Sequence, residues 1–203
     1  MLKVWQRLRA PVVGMVHLPP LPGSPQGALS LPAIERGAVR DAEALARGGV
    51  HGLMMENFGD VPFYPGRVPA HTVAQMTALA AAVRRAVGLP LGINVLRNDG
   101  LSALAIAHAV GAEFVRVNVL SGARVADQGV LQGIAHDLLR YRRELGASVK
   151  ILADVNVKHS APLGDYPFED EVEDLLRRAL ADGVVVSGSG TGKAVDLDEL
   201  KTV

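Results

Sequence analysis

Cysteine, a net charge and a long hydrophobic run are all missing from this sequence. No cysteine occurs among its 203 residues, so disulfide bonds and thiolate chemistry are excluded, and a cytoplasmic location is expected. The 21 basic and 21 acidic residues give a formal net charge of +0, which argues against a nucleic-acid partner or an anionic membrane surface. The longest apolar candidate, residues 79–96, is interrupted by two arginines. Since no run approaches the ~20 apolar residues of a membrane helix, we expect no integral membrane segment.

The sequence instead contains a regular alternation of strand-like and helix-like segments. Hydrophobic residues make up 49% and charged residues 21%, as is typical of globular domains. Short β-branched runs alternate with longer alanine-rich stretches, which indicates βαβ units on a parallel sheet. The predicted strands are Val12 to His17, His51 to Glu56, Leu91 to Val95, Phe114 to Asn118, Val149 to Val155 and Gly183 to Ser187.

The predicted architecture is an α/β fold of the TIM (β/α)8-barrel type. Successive strands start roughly 25 to 40 residues apart, as they do in TIM barrels, which total about 250 residues. Six of eight βα units are therefore expected in residues 1–203, as a single domain that lacks the last two units. An open doubly wound sheet is the alternative. It is disfavoured because no Gly-x-Gly-x-x-Gly follows the first strand and because polar residues end nearly every strand.

Capping residues and breakers predict the helix boundaries. Thr72 is the predicted N-cap of the second helix, and Asp99 begins the third. Residues 121–128 are predicted to form a polar loop. Residues 169–181 are predicted to form a helix whose acidic start suits the helix dipole.

Strand parity indicates which polar side chains point into the barrel. On the fourth strand, Val115, Val117 and Val119 suit the face that meets the helices, which leaves Arg116 and Asn118 pointing inward. The carboxyl ends of barrel strands converge on one rim, where the active sites of TIM barrels lie. The polar residues predicted at this rim are His17, Glu56, Asn94, Asn118, Asp154 and Ser187. Polar residues can end strands simply because a loop begins there. An acid, a base and amides that all point into the barrel together favour a functional site.

The chemistry of these side chains suggests their roles. Asp154, Glu56 and His17 are the catalytic acid/base candidates. An inward Arg116 needs an acidic partner or an anionic ligand, and Asp154 on the next strand, ~4.8 Å away, can meet it. The predicted substrate-binding residues are Asn94, Arg116, Asn118, Asn57, Arg97 and His159.

A glycine-rich segment, SGSGTGK, follows the sixth strand and resembles a phosphate-binding loop. It departs from the P-loop pattern because three residues rather than four separate Gly188 from Gly192, and Ala194 replaces the hydroxyl that binds Mg. Backbone N–H groups of such a turn can still bind an anion, although a plain βα turn fits the pattern equally well. The phosphate-binding candidates are Ser187, Gly188, Gly190, Thr191 and Gly192.

A metal site is the weaker interpretation of the same rim. His17, Glu56, Asp154 and His159 carry groups that suit Zn, Mn or Fe. No short-range ligand motif such as His-Glu-x-x-His occurs, so hydrogen-bonded polar residues are the preferred interpretation. No metal ligand is predicted, and the sequence does not identify a cofactor.

At these residues the sequence resembles the BtpA/SgcQ family. The matching stretches are GMVHLPPLPGSP, ENFGDVPF, GINVLRND, FVRVNVLSGA, DQG, VKILADVNVKHSAPLG and SGSGTG. The resemblance implies a TIM-barrel fold. It also implies a link to photosystem I, because the cyanobacterial namesake of the family is associated with the accumulation of photosystem I reaction-centre proteins. Relatives occur widely in non-photosynthetic organisms, so that role is not the general function of the family.

The sequence departs from the family pattern in two ways. Asn156 stands where the family usually has a histidine, so only His159 follows the fifth strand. Family members also continue through two further strands, whose loops bind phosphate in many barrels.

The sequence therefore predicts an enzyme that acts on a small anionic metabolite, phosphorylated or not, at the carboxyl rim of the barrel. Isomerase, lyase and glycosyl-bond chemistry remain open. The alternative is a non-catalytic assembly or stability factor that uses the barrel as a scaffold, as the cyanobacterial resemblance implies. Besides a small-molecule ligand, two ways of covering the unpaired strand edges remain open: further C-terminal residues, or a second copy of the chain in a homo-oligomer.

Overall fold

The computed structural model describes residues 2–188 and 190–203 and is built on a six-stranded parallel sheet. Numbered along the chain, its strands are β1 (Val13–His17), β2 (Gly52–Glu56), β3 (Leu91–Asn94), β4 (Phe114–Val117), β7 (Lys150–Val155) and β9 (Gly183–Val186). The spatial order follows the sequence, and every neighbouring pair is parallel, so the predicted arrangement is confirmed. The sheet curls into a half-barrel within an α/β fold. Closure into an eight-stranded barrel stays a prediction.

Helices cover the outer face of the sheet. They are α1 (Leu31–Arg47), α2 (Ala70–Ala86), α3 (Gly100–Val110), α4 (Ala135–Glu144) and α5 (Phe168–Glu173), whereas α6 (Leu197–Thr202) has no buried residue. Val115 and Val117 of β4 pack into the same buried cluster as the apolar faces of these helices, which confirms the parity predicted for that strand. None of the helices in residues 2–188 and 190–203 has the length and apolar character that crossing a membrane requires.

The inner face of the half-barrel is apolar near the amino ends of the strands. Trp5, from a 3₁₀ helix at Lys3–Trp5, packs there against Met54 and Phe114, with the two aromatic ring centroids 5.5 Å apart. Gly92 lies beneath Phe114, where an added Cβ would come within 2.2 Å of the ring, so only glycine fits. This layer closes one end of the interior and leaves the polar side chains at the opposite, carboxyl end.

The two predicted helix starts have different outcomes. Asp99 caps α3 as predicted: its Oδ1 accepts the Ser102 amide at 3.0 Å, while its Oδ2 accepts the Val68 amide at 2.8 Å. The prediction of Thr72 as an N-cap is wrong. The extended Pro69 precedes the helix, α2 begins at Ala70, and Thr72 is buried within the first turn.

The predicted polar loop at residues 121–128 is wrong. This region begins a hairpin of β5 (Ala123–Ala126) and β6 (Gly129–Gln132), and β8 (Ser160–Pro162) joins it as a third antiparallel strand. The strands are short and bury little apolar surface, and β8 lies far along the chain, so no local pattern indicates the pairing. The hairpin packs on the carboxyl side of the barrel through Leu131, Val119 and Val157.

The helix predicted over residues 169–181 is also wrong in extent. The α-helical part is α5, and residues Asp174–Arg178 continue as a π-helical turn in which the Ala179 amide donates to the Asp174 carbonyl. The helical segment therefore ends at Arg178, three residues before the predicted end.

Candidate active site

A cavity of about 780 Å³ lies at the carboxyl ends of the strands. One part of its wall is apolar and includes Pro20, Phe58, Val61, Phe63 and Leu96. The predicted site residues on its lining are Glu56, Asn94, Arg97, Arg116, Asn118, His159 and Thr191. A concave apolar wall with a few convergent polar groups is typical of small-molecule sites.

Glu56 joins three neighbouring strands. The register sets His17 beside Glu56 and Glu56 beside Asn94, so their side chains meet on the inner face. His17 Nε2 lies 2.9 Å from Glu56 Oε1, and Asn94 Nδ2 donates to Glu56 Oε2 at 3.0 Å. The Glu56 side chain is 6% exposed and lines the cavity, whereas His17 is 44% exposed and stacks on Phe58 with 4.4 Å between ring centroids. The carboxylate therefore connects the cavity with a solvent-accessible imidazole.

Asp154 lies beneath two residues of the cavity lining, Arg116 and Asn118. Its carboxylate accepts from Arg116 Nε at 3.0 Å, Arg116 Nη2 at 2.7 Å and Asn118 Nδ2 at 2.6 Å, which confirms the predicted contact with Arg116. Burial disfavours the Arg116 cation, but the Asp154 carboxylate outweighs that effect and raises the pKa of the guanidinium. The Asp154 side chain is 0% exposed and is absent from the cavity lining. It therefore holds Arg116 and Asn118 in place rather than facing a ligand.

Arg97 is a buried cation at the cavity that has no close carboxylate partner among the described residues. It is 4% exposed, and its Nη2 donates to the Lys158 carbonyl at 2.6 Å. Within residues 2–188 and 190–203, no carboxylate lies within 4.0 Å of it, and its buried Nε has no hydrogen-bond partner. Burial lowers the pKa of Arg97, although the more distant Asp154 and Asp127 carboxylates act in the opposite direction. An arginine stays protonated at physiological pH even so, so a positive charge lies next to the cavity.

The loops after β7 and β9 meet at one edge of the cavity. His159 Nε2 lies 3.1 Å from Thr191 Oγ1 and accepts the Thr191 amide at 3.2 Å. Both residues line the cavity, together with Lys158. His159 has a φ of +58° and Asn156 a φ of +47°, a left-handed conformation that is uncommon outside glycine. The loop is therefore held in an unusual backbone conformation at the position where it contacts the cavity.

The other predicted binding residues lie away from the cavity. Asn57 is buried in a structural role: its Oδ1 accepts the Leu96 amide at 2.8 Å, and its Nδ2 donates to Asp60 at 3.2 Å. In the glycine-rich segment, only Thr191 belongs to the lining described for the cavity. Gly188 packs against the backbone of residues 193–194, where a Cβ would lie 2.4 Å from two carbonyl oxygens. Ser189 lies outside the described residues. Phosphate binding by Ser187, Gly188, Gly190, Thr191 and Gly192 stays a prediction.

Ten lining residues were missing from the predicted site, and four of them come from two segments outside the barrel strands. Phe58 and Phe63 come from the long loop after β2, and Asp127 and Gln128 come from the turn between β5 and β6. A signal existed for both segments, because ENFGDVPF and DQG are among the stretches that resemble the family. The alternation of side chains along the strands could not identify these four residues, because none of them lies on a barrel strand.

In the described part of the chain, no cluster of three or more His, Asp or Glu side chains is placed to hold a metal ion. Glu56 and His17 form a pair, and Asp154 is fully engaged by Arg116 and Asn118.

The chain is similar to known proteins over most of its length. An uncharacterized protein of Thermococcus kodakarensis is 51% identical over 192 residues, which cover 95% of this chain and 72% of the relative. The photosystem I biogenesis protein BtpA of Synechocystis is 51% identical over 191 residues, which cover 94% of this chain and 67% of that protein. A solved structure described as a candidate dihydrodipicolinate synthetase of Pseudomonas aeruginosa matches 86% of this chain and 69% of its own with 13% identity. Its TM-score of 0.34 is too low to support any conclusion. The BtpA family itself matches residues 8–203, so this chain belongs to the BtpA family.

Proposed function

We propose that this chain is an enzyme that binds a small anionic metabolite in the cavity and transfers a proton to or from it. The observation that carries this proposal is Arg97, a buried guanidinium on the cavity lining whose Nε has no partner in the described part of the chain. An unpaired buried cation is costly, so a site that keeps one is suited to receive an anion. Lys158 adds a second positive charge to the same lining.

Proton transfer is assigned to Glu56 and His17. Glu56 lies on the cavity lining and touches His17, whose ring reaches solvent. A proton taken from the ligand by the Glu56 carboxylate can thus pass to the imidazole and leave, or return by the same path. Asn94 holds the second Glu56 oxygen and orients the carboxylate. Such a step is common to the isomerase, lyase and glycosyl-bond reactions that the sequence leaves open.

Asp154 takes a different part in this proposal from the catalytic one that the sequence suggests. All three hydrogen bonds to its carboxylate come from Arg116 and Asn118, so it acts as a positioning residue for two groups that line the cavity.

The test is anion binding by wild-type protein and by Arg97→Met, with inorganic phosphate as the probe. We expect phosphate to raise the melting temperature of the wild type and to have little effect on the variant. Methionine has a similar length and removes the buried charge, so the unliganded variant should be about as stable as the wild type. Arg85→Met, at an exposed position on α2, is the matched control and should keep the response to phosphate. If neither phosphate nor phosphorylated metabolites shift the wild-type melt, the proposal is wrong.

A non-catalytic assembly or stability factor is the second candidate function. The observation in its favour is the name of the Synechocystis relative, a photosystem I biogenesis protein that is 51% identical to this chain. This candidate function depends on outer surfaces rather than on the cavity. It is favoured if Arg97→Met and Glu56→Gln keep the biological activity of the protein in its host while surface substitutions abolish it.

A further inference from the structure

Three buried polar atoms of the cavity residues have no partner among residues 2–188 and 190–203. They are Arg97 Nε, Asn118 Oδ1 and Gln128 Oε1. Buried polar atoms in folded proteins are nearly always hydrogen-bonded, and each unmet one costs free energy. Because the three atoms belong to residues around one cavity, a single ligand can satisfy them together.

The orientation of the two amides is fixed by their neighbours. Asn118 Nδ2 donates to Asp154 Oδ2 at 2.6 Å, and a carboxylate oxygen only accepts, so the oxygen of Asn118 is the atom left free. Gln128 Nε2 likewise donates to Asp127 Oδ2. The residues that line the cavity therefore carry two unpartnered carbonyl oxygens as well as one unpartnered N–H on a cation. The ligand of the cavity must bring an anionic group and at least two hydrogen-bond donors.

Hydroxyl groups meet this requirement better than amines. A protonated amine would add a positive charge to a lining that already has more cations than anions, with Arg97, Arg116 and Lys158 against Glu56 and Asp127. A hydroxyl donates without a charge, and its oxygen can accept from the same cations. The acceptors also come from two different elements, because Asn118 follows β4 and Gln128 lies in the turn between β5 and β6. A chain of carbons with several hydroxyls can span such a gap.

We infer that the ligand of this cavity is a polyhydroxylated anion, such as a phosphorylated polyol or sugar. Its anionic group binds Arg97, and its hydroxyls donate to Asn118 Oδ1 and Gln128 Oε1. This assignment of substrate class rests on the proposed function and narrows it. It makes Asn118 and Gln128 specificity-determining residues that distinguish a hydroxylated anion from a bare one.

The experiment compares two probes by isothermal titration of the intact chain. Glycerol 3-phosphate carries two hydroxyls, and n-propyl phosphate carries the same anion and carbon chain without them. We expect the wild type to bind glycerol 3-phosphate more tightly by about tenfold or more, because a site with buried acceptors rejects an analogue that leaves them unmet. Asn118→Ala and Gln128→Ala should each lower the ratio of the two affinities, because each removes one acceptor that only the hydroxyls of glycerol 3-phosphate can meet. Gln132→Ala, at an exposed position on the same hairpin, should keep the ratio.

The possible outcomes separate the two proposals. Equal affinity of the wild type for both probes, or a preference that neither alanine variant lowers, overturns the polyhydroxylated ligand and leaves anion binding intact. Failure of both phosphates to bind contradicts the proposed function itself. Arg97→Met should weaken both probes by the same factor and so keep their ratio. If Asn118→Ala does not fold, the wild-type comparison and Gln128→Ala still decide the question.

Discussion

At the scale of single residues, the cavity holds two arginines in opposite situations. Arg116 is paired bidentately with Asp154, whereas Arg97 has a backbone carbonyl as its nearest acceptor among the described residues. An ion pair compensates the free-energy cost of burying a charge, whereas a buried charge without an ion-pair partner needs a ligand or water to compensate this cost. In the proposed function, Arg116 accordingly shapes the site and Arg97 receives the anion.

Asp154→Asn should therefore destabilise the fold strongly. The change keeps the shape of the side chain but leaves Arg116 as an uncompensated buried cation, and breaking such a pair typically costs about 3–5 kcal/mol. The sequence alone suggested Asp154 as a catalytic acid/base candidate, whereas the 0% exposure of its side chain favours a structural part. Urea unfolding of Asp154→Asn measures the loss, with Asp198→Asn as the exposed control, expected within about 0.5 kcal/mol of wild type. An Asp154→Asn protein as stable as the control would contradict this account.

At the scale of elements, the three-stranded sheet of β5, β6 and β8 is tied to the barrel by Arg124. Arg124 is buried, with 5% of its surface exposed. Its guanidinium donates to Ser160 Oγ at 2.7 Å, to Asn156 Oδ1 at 2.7 Å and to Glu171 at 3.3 Å. Asn156 also donates to Glu199 of α6 at 2.7 Å. One buried side chain thus links the hairpin, the loop after β7 and α5.

Arg124→Met should loosen this sheet and weaken ligand binding together. Each hydrogen bond to a charged group is worth about 1.5–3 kcal/mol, so amide exchange across residues 123–132 should accelerate by about tenfold or more. Affinity for phosphate should fall as well, because Asp127 and Gln128 at the hairpin turn line the cavity. Hydrogen exchange detected by mass spectrometry measures the first effect, and Arg140→Met on α4 is the exposed control. Unchanged exchange in the hairpin would show that Arg124 does not hold it.

Asp182, at the amino end of β9, joins elements at the opposite end of the barrel. Its carboxylate accepts from Arg142 of α4 at 2.6 Å, from Lys150 at 2.8 Å and from the Ile151 amide at 2.9 Å. Burial acts to raise the pKa of Asp182, but these hydrogen bonds outweigh it and hold the pKa below its ordinary value. A carboxyl whose pKa is lower in the folded state than in the unfolded state stabilises the fold fully when the pH is above the unfolded-state pKa. This stabilisation is lost as the pH falls through the folded-state pKa.

We therefore expect Asp182→Asn to change the acid side of the stability profile. At neutral pH the variant should lose about 1.5–3 kcal/mol of unfolding free energy, the worth of a hydrogen bond to a charged group. Below the ordinary range of a carboxyl pKa, the gap between the two proteins should narrow, because the wild type loses this stabilisation there. Urea unfolding across a pH series gives the curves, and Asp165→Asn, in an exposed loop, should follow the wild type. A gap that is constant at every pH would contradict the proposed linkage.

At the scale of the whole molecule, the half-barrel has β1 and β9 as its two sheet edges. Met15, on the inner face of β1, is 36% exposed, and Val12, just before that strand, is 54% exposed. Exposed edges with apolar neighbours tend to pair with other chains. We propose that two copies of the chain associate through these edges and that residues 1–203 behave as a single domain.

Urea unfolding at several protein concentrations tests both points. A single domain should unfold in one transition, and association should make the midpoint rise with concentration, because binding stabilises the folded state by mass action. Met15→Lys should remove the concentration dependence, whereas Leu29→Lys, at another exposed apolar position, should keep it. A wild-type midpoint that does not move with concentration would contradict association, and two separate transitions would contradict the single domain.

Much of the sheet could be predicted from the sequence because its signals are local. Each of the six predicted strands lies within one residue of the observed strand at either end. The alternation of side chains also placed Arg116 and Asp154 on one face, where they now meet at 2.7 Å. Thr72 and residues 121–128 were predicted wrongly, because Pro69 precedes the helix and because β8, 34 to 38 residues beyond its partners in β5, completes the three-stranded sheet.

The sequence by itself determined the parallel order of the strands, the polar carboxyl rim and the resemblance to the BtpA family. Periodicity and turn residues depend on neighbours a few positions apart, so a sequence displays them directly. Only the tertiary structure decided which rim residues face the cavity and which are already satisfied. It buried Asp154 under Arg116, set Asn57 against Leu96 and left Arg97 Nε without a partner in the described residues. Hydrogen-bond satisfaction depends on groups brought together from distant segments, and no local pattern records it.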